Sequence, residues 1–78
     1  MKVSVTSRSF SRNNFLKNEL LKIYPKTKFN DKGLLLNGDE LINFIEDSSK
    51  AIIALENINE SILSQLPNLR VISKYGVG

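Results

Sequence analysis

Residues 51–55 read Ala-Ile-Ile-Ala-Leu, an unbroken apolar run that begins after Lys50 and ends at Glu56. A strand that is apolar at every position, rather than at alternate ones, is covered on both faces, as strands of a parallel sheet are. Parallel neighbours need crossover connections, and the flanks of this run supply them. Upstream, the spacing predicts a helix over 38–47, with Asn37 as N-cap, Asp39 and Glu40 at its positive end, and Leu41, Ile42 and Ile45 as its buried stripe. Downstream, Asn59 caps a helix at 60–66 that turns Ile62, Leu63 and Leu66 inward and closes at Pro67. A strand at 69–73 (LRVIS) follows.

The first half repeats the alternation. Residues 2–6 (KVSVT) alternate polar and apolar, which predicts a strand. Ser11 or Asn13 can cap the next helix, at 12–24, whose apolar face is read as Phe15, Leu16, Leu20, Ile23 and Tyr24 and which stops at Pro25. Residues 27–30 (TKFN) read as a short polar strand near a sheet edge. Asp31-Lys32-Gly33 is a turn, and Leu34–Leu36 a further extended piece. The resulting βαβαβαβ pattern predicts an α/β fold, a flavodoxin-like doubly wound parallel sheet with helices on both faces. Such sheets usually carry five strands; four are read here, so residues 1–78 are expected to be an incomplete domain.

The chain has 78 residues, no cysteine and no histidine. That removes disulfides, thiolate metal sites and cysteine nucleophiles, together with the side chain that most often handles protons near neutral pH. Catalysis by these residues alone is therefore not expected. A domain this small buries only roughly 60–65 % of its unfolded surface, so its core is marginal. Neither apolar run, 34–36 nor 51–55, is long enough to cross a bilayer, and no basic segment followed by an apolar one opens the chain. The expected compartment is the cytoplasm, with no membrane partner. Eight of the 11 Lys and Arg lie in residues 1–32 beside two acids, whereas residues 33–78 hold three beside six. These cations alternate between helix and strand positions instead of following one face, so a solvated basic surface is expected and no nucleic-acid partner.

Ligands of open α/β sheets bind beyond the carboxyl ends of the strands, which points to residues 7–11, 56–59 and 74–78. Ser7-Arg8-Ser9-Phe10-Ser11 offers hydroxyls and a guanidinium that suit a phosphate, or else capping residues for the following helix. Gly76-Val77-Gly78 permits backbone N–H groups to face a crevice and hold a carboxylate or phosphate; a simple turn would also use these glycines. A receiver domain would need an acidic pair after the first strand and an Asp after the third. Thr6-Ser7 and Leu55-Glu56 stand there instead. A phosphocarrier of this shape would need a cysteine after the first strand.

Residues 51–78, AIIALENINESILSQLPNLRVISKYGVG, resemble the N-terminal part of D-isomer-specific 2-hydroxyacid dehydrogenases, phosphoglycerate dehydrogenase-like members above all. The matching features are the apolar strand ending in Leu55-Glu56, then Ile62-Leu63, Leu66-Pro67-Asn68-Leu69, Val71-Ile72-Ser73 and Tyr75-Gly76-Val77-Gly78. KVSVTSRSF fits the family's first strand and loop, and Gly38-Asp39-Glu40-Leu41 its second helix more loosely. The resemblance implies that residues 1–78 are the N-terminal portion of a substrate-binding (catalytic) domain, with a nicotinamide-binding Rossmann domain following. It also implies that the backbone amides of Val77 and Gly78 help hold the carboxylate of a small 2-hydroxy or 2-oxo acid, with Tyr75 and Gly76 shaping the loop. Leu55-Glu56 and residues 7–10 would line the same cleft. The parent would use NAD or NADP and be a homodimer; its catalytic Arg, its Glu–His pair and its GxGxxG would lie beyond residue 78. This chain alone would be inactive and would bind no cofactor. Two other readings are a free-standing flavodoxin-like anion-binding or interaction module, and a fragment that self-associates through uncovered faces.

Overall fold

The computed structural model describes residues 2–54, 56 and 58–75. Its strands are β1 (Val3–Val5), β2 (Thr27–Phe29), β3 (Lys50–Ile53) and β4 (Val71–Lys74); its helices are α1 (Arg8–Arg12), α2 (Asn14–Ile23), α3 (Asp39–Ile45) and α4 (Glu60–Leu63). The strands form one parallel sheet in the order β2-β1-β3-β4. This is the flavodoxin-like α/β arrangement expected from the alternation of elements, with β2 at an edge.

The run at 51–55 behaves as its composition requires. Ala51, Ile52 and Ile53 are all buried, and alternate residues enter different cores. Ala51 and Ile53 pack with Leu41, Ile42 and Ile45 of α3 and with Leu66, whereas Ile52 packs with Val3, Val5 and Phe10. Leu16, Leu20 and Tyr24 join that second core, so α1 and α2 cover one face of the sheet and α3 and α4 the other. The chain moves from β1 to β2 in one direction and from β2 to β3 in the other, with its helices on opposite faces. The two crossovers therefore share one hand, as the handedness rule for parallel connections requires.

Several boundaries differ from the sequence reading, each for a local reason. The helix expected at 12–24 is two helices, because Asn13 adopts extended backbone (φ −91°, ψ 103°) between them. Its N–H donates to Phe10 O and its side chain accepts from Leu16 N, so it ends one helix and caps the next. This interruption resets the helical phase. Leu16, Leu20 and Tyr24, spaced by four, face the core, and Phe15 and Ile23 stand 70 % and 69 % exposed instead of on the apolar face. The N-cap of α3 is Gly38, not Asn37: a positive φ of 53° reverses the chain there and leaves Asn37 one residue outside. Asp39 and Glu40 keep their favourable place in the first turn. In the last crossover α4 is a single turn capped by Asn59. It tightens through i→i+3 bonds from Gln65 N to Ile62 O and from Leu66 N to Leu63 O, well before Pro67. This tightening buries Leu66 and leaves Leu63 exposed. Leu34–Leu36 forms no strand; only Leu36 is buried. Among the described residues no helix is long and apolar enough to cross a membrane.

The edge strand β2 is covered by lysines. Lys28 Nζ lies 4.7 Å from the Phe44 ring centroid and Lys17 Nζ 4.9 Å from that of Phe29, which blunts an open ladder with charge. At the N-terminal end of the sheet, Lys2 Nζ bonds Asp47 Oδ2 at 3.3 Å and Lys28 Nζ approaches Oδ1 at 4.0 Å. The hydrogen bond from Lys2, followed by the Lys28 charge, holds the Asp47 carboxyl below the usual carboxylate range. A carboxyl depressed on folding contributes stability above its unfolded pKa and loses it as pH falls through the folded value. Because the pair is half exposed, that contribution is small. In Lys2→Ala the Asp47 titration followed by carbon-detected NMR is expected to move up toward the ordinary value; an unmoved curve would exclude Lys2 as the main cause.

Candidate functional site

Beyond the carboxyl ends of the strands, the loops after β1, β2 and β3 are knit together by buried polar groups. Thr6 is fully buried; its N–H donates to Ile52 O at 2.9 Å, and its hydroxyl donates to the Glu56 carboxylate. The same carboxylate oxygen accepts the Ala54 N–H at 2.9 Å. The backbone just after β3 and the hydroxyl just after β1 thus fix Glu56 across the top of the sheet, and among the described residues no donor meets its second oxygen.

Asn30, 2 % exposed, joins the remaining pieces. Its N–H donates to Ser11 Oγ at 2.9 Å, and its Nδ2 donates to Thr6 O and Leu34 O, each at 2.9 Å. Its Oδ1 accepts the Leu34 N–H at 3.0 Å. One amide side chain therefore ties the end of β1 to the 31–34 loop, while its main chain anchors on α1. Ser7 settles as the N-cap of α1, accepting the Phe10 N–H at 3.2 Å, and Ser11 as a buried acceptor. These two serines are therefore taken up by the fold; the exposed functional groups of the 7–11 stretch are Arg8 and Ser9, whose Oγ also lies 3.3 Å from Ser7 Oγ.

Arg8, Ser9 and Arg12 of α1 line a cavity of about 340 Å³ together with the apolar Leu34 and Leu35 and with Ala54 and Glu56. Among the described residues neither Arg8 nor Arg12 has a carboxylate within 4.0 Å. Arg12 rests on Gly33, where a Cβ would stand 2.7 Å from Nη2, and Gly33 itself has a positive φ of 66°. The positive φ favours glycine there, and a side chain would also displace the end of Arg12. Gly33→Ala is expected to cost about 1–2 kcal/mol through the left-handed backbone and to push the Arg12 guanidinium off its seat. Thermal denaturation and the Arg12 side-chain NMR resonance would measure this, and unchanged values for both would exclude the contact.

Tyr75 is anchored just past the end of β4. Its N–H donates to Ile53 O at 2.7 Å, and its ring meets Phe10 edge to face, centroids 5.0 Å apart at 84°. It therefore belongs to the Val3–Val5–Phe10–Ile52 core and does not line the cavity. Gly76, Val77 and Gly78, and also Leu55, lie outside the described residues. Among the described residues no group of three acids could hold a metal ion.

Sequence reasoning overlooked Asn30, Thr6 and Arg12. Asn30 ends a strand read only as short and polar, and Thr6 closes an alternating β pattern. The available signal was position, since both sit at carboxyl ends of parallel strands, where buried polar groups serve a crevice. Arg12 was assigned to the start of a longer helix, and only the break at Asn13 turns it toward the loop. The cavity offers two guanidiniums that are unpaired among the described residues, a hydroxyl, an apolar wall and one anchored carboxylate: a recognition surface for a small polar molecule with a negative end. Compared with family models, with curated proteins and with solved structures, the chain finds no match in any of the three.

Proposed function

We propose that this chain is the N-terminal part of the substrate-binding domain of an NAD- or NADP-dependent D-2-hydroxyacid dehydrogenase, a phosphoglycerate dehydrogenase-like oxidoreductase. The segment after β4 holds the carboxylate of a small 2-hydroxy or 2-oxo acid. Sequence motifs in residues 51–78 support this reading, as does the flavodoxin-like order of the sheet. The observation that carries it is the anchoring of Tyr75. Bonded to Ile53 O and packed on Phe10, Tyr75 itself stands at the same end of the sheet as the loop after β1. Backbone amides of Val77 and Gly78 then bind the carboxylate, with Tyr75 and Gly76 shaping their approach.

The residues present do not fit a dinucleotide. The loop after β1 has no glycine and spends Ser7 on capping α1, so it lacks the close backbone approach that a pyrophosphate needs. The chain's own share is therefore substrate binding, and hydride transfer at C2 belongs to the domain proposed to follow, in a cytoplasmic homodimer. Sequencing the gene past codon 78 tests this. An acidic loop, a fifth strand and then a GxGxxG are expected, and a frame lacking them overturns the proposal. The second reading, a free-standing anion-binding module, is favoured by Arg8 and Arg12, which have no carboxylate partner among the described residues, and it is the one that a stop codon at that point would leave standing.

A further inference from the structure

The cavity at the top of the sheet holds charges of both signs that do not close on one another. Elsewhere the chain closes such pairs readily: Lys17 with Asp31 and Lys22 with Glu19, each at 2.7 Å. Here Glu56 is held by Thr6 and the Ala54 N–H, and Arg12 lies against Gly33, so opposite charges line one cavity with no ion pair between them within 4.0 Å among the described residues. A separation maintained by independent anchors prepares two recognition points at once, since neither has to be broken from the other before a ligand binds. We propose that this cavity is a two-point site for a small phosphate-type dianion that also carries a hydroxyl or ammonium donor. Arg8 and Arg12, with the Ser9 hydroxyl, take the dianion, and the free oxygen of Glu56 takes the donor.

Charge and shape select this class. Two guanidinium forks match a doubly charged, three-oxygen group better than a single carboxylate, which one fork already satisfies. A bare inorganic anion would bring negative charge toward the Glu56 carboxylate and offer its second oxygen no donor. Leu34 and Leu35, 50 % and 70 % exposed, give a short carbon skeleton an apolar surface to cover. The site uses residues of this chain alone, so it stands whether or not the dehydrogenase reading does.

The test is an NMR titration of the chain with phosphoethanolamine and with ethyl phosphate, which differ only in the ammonium group. Phosphoethanolamine is expected to bind at least about 5-fold tighter, the effect of one partly screened charge-assisted hydrogen bond, with the largest shifts at Arg8, Arg12 and Glu56. Glu56→Gln keeps the acceptor oxygen for Thr6 and Ala54 and is expected to bring the two affinities within about 2-fold of each other. Arg8→Gln with Arg12→Gln, both exposed positions, is expected to weaken both ligands about 10-fold. Equal affinities in the unaltered chain, shifts confined to other surfaces, or arginine variants that bind like the parent would each overturn the proposal. Should Glu56→Gln lose its fold by circular dichroism, the comparison of the two ligands on the unaltered chain decides alone.

Discussion

Asn30→Asp is expected to destabilise the chain by about 3 kcal/mol or more, enough to unfold much of it at room temperature, given the marginal core of so small a domain. The amide nitrogen at this position donates to two carbonyls, Thr6 O and Leu34 O, in a place almost sealed from water. A carboxylate there would aim negative charge at two acceptors and strand both of them. Asn30→Ala removes the same bonds without adding a charge, and a smaller loss of about 2 kcal/mol is expected. Urea denaturation followed by circular dichroism measures both. Near-parental stability of the Asp variant would show that Asn30 does not hold the loops, and the cavity beside them would then need another support.

Ile45→Ala is the second large effect. Ile45 is fully buried where α3 meets the sheet, in the core built on Leu41, Ala51 and Ile53. Truncating such a side chain removes its transfer energy and leaves a cavity, at a combined cost of about 2–5 kcal/mol. Phe15→Ala supplies the contrast: although larger, Phe15 is mostly exposed on α2, and a change within about 0.5 kcal/mol is expected. A Phe15 variant as damaged as the Ile45 variant would overturn the helical phase that the break at Asn13 sets.

These pairs show where the sequence is readable and where it is not. Topology is legible because residues 51–53 are apolar at consecutive positions, a pattern that only a doubly covered strand needs, and because Asn13 and Asn59 announce helix starts. Helical phase is less legible: Phe15 and Leu16 are both apolar, and which of them faces the sheet depends on where the preceding turn ends. The same uncertainty separates Ile62 from Leu63. The cavity is the least legible part. Its members come from loops after three different strands, and Asn30 acquires its role only when β2 lies beside β1, a pairing between residues far apart in the chain. Arg12 depends in turn on a glycine twenty-one positions on whose missing side chain gives it room.

The all-parallel sheet also constrains the order in which its parts can assemble. Partner residues are 24 positions apart between β1 and β2 and 21 between β3 and β4, but 47 between β1 and β3. No pair closes by a short hairpin, so relative contact order is high for a chain of this length and folding should be slow among small domains. Loop closure grows only with the logarithm of separation, so the central pairing costs about 0.6 kcal/mol more than either outer one. Two βα-β units of similar likelihood of nucleating, one in each half of the chain, would thus form first and dock along β1 and β3. The apolar residues at 51–53 would then be the last to lose all their water, and mutations there would chiefly hasten unfolding while leaving the folding rate little changed.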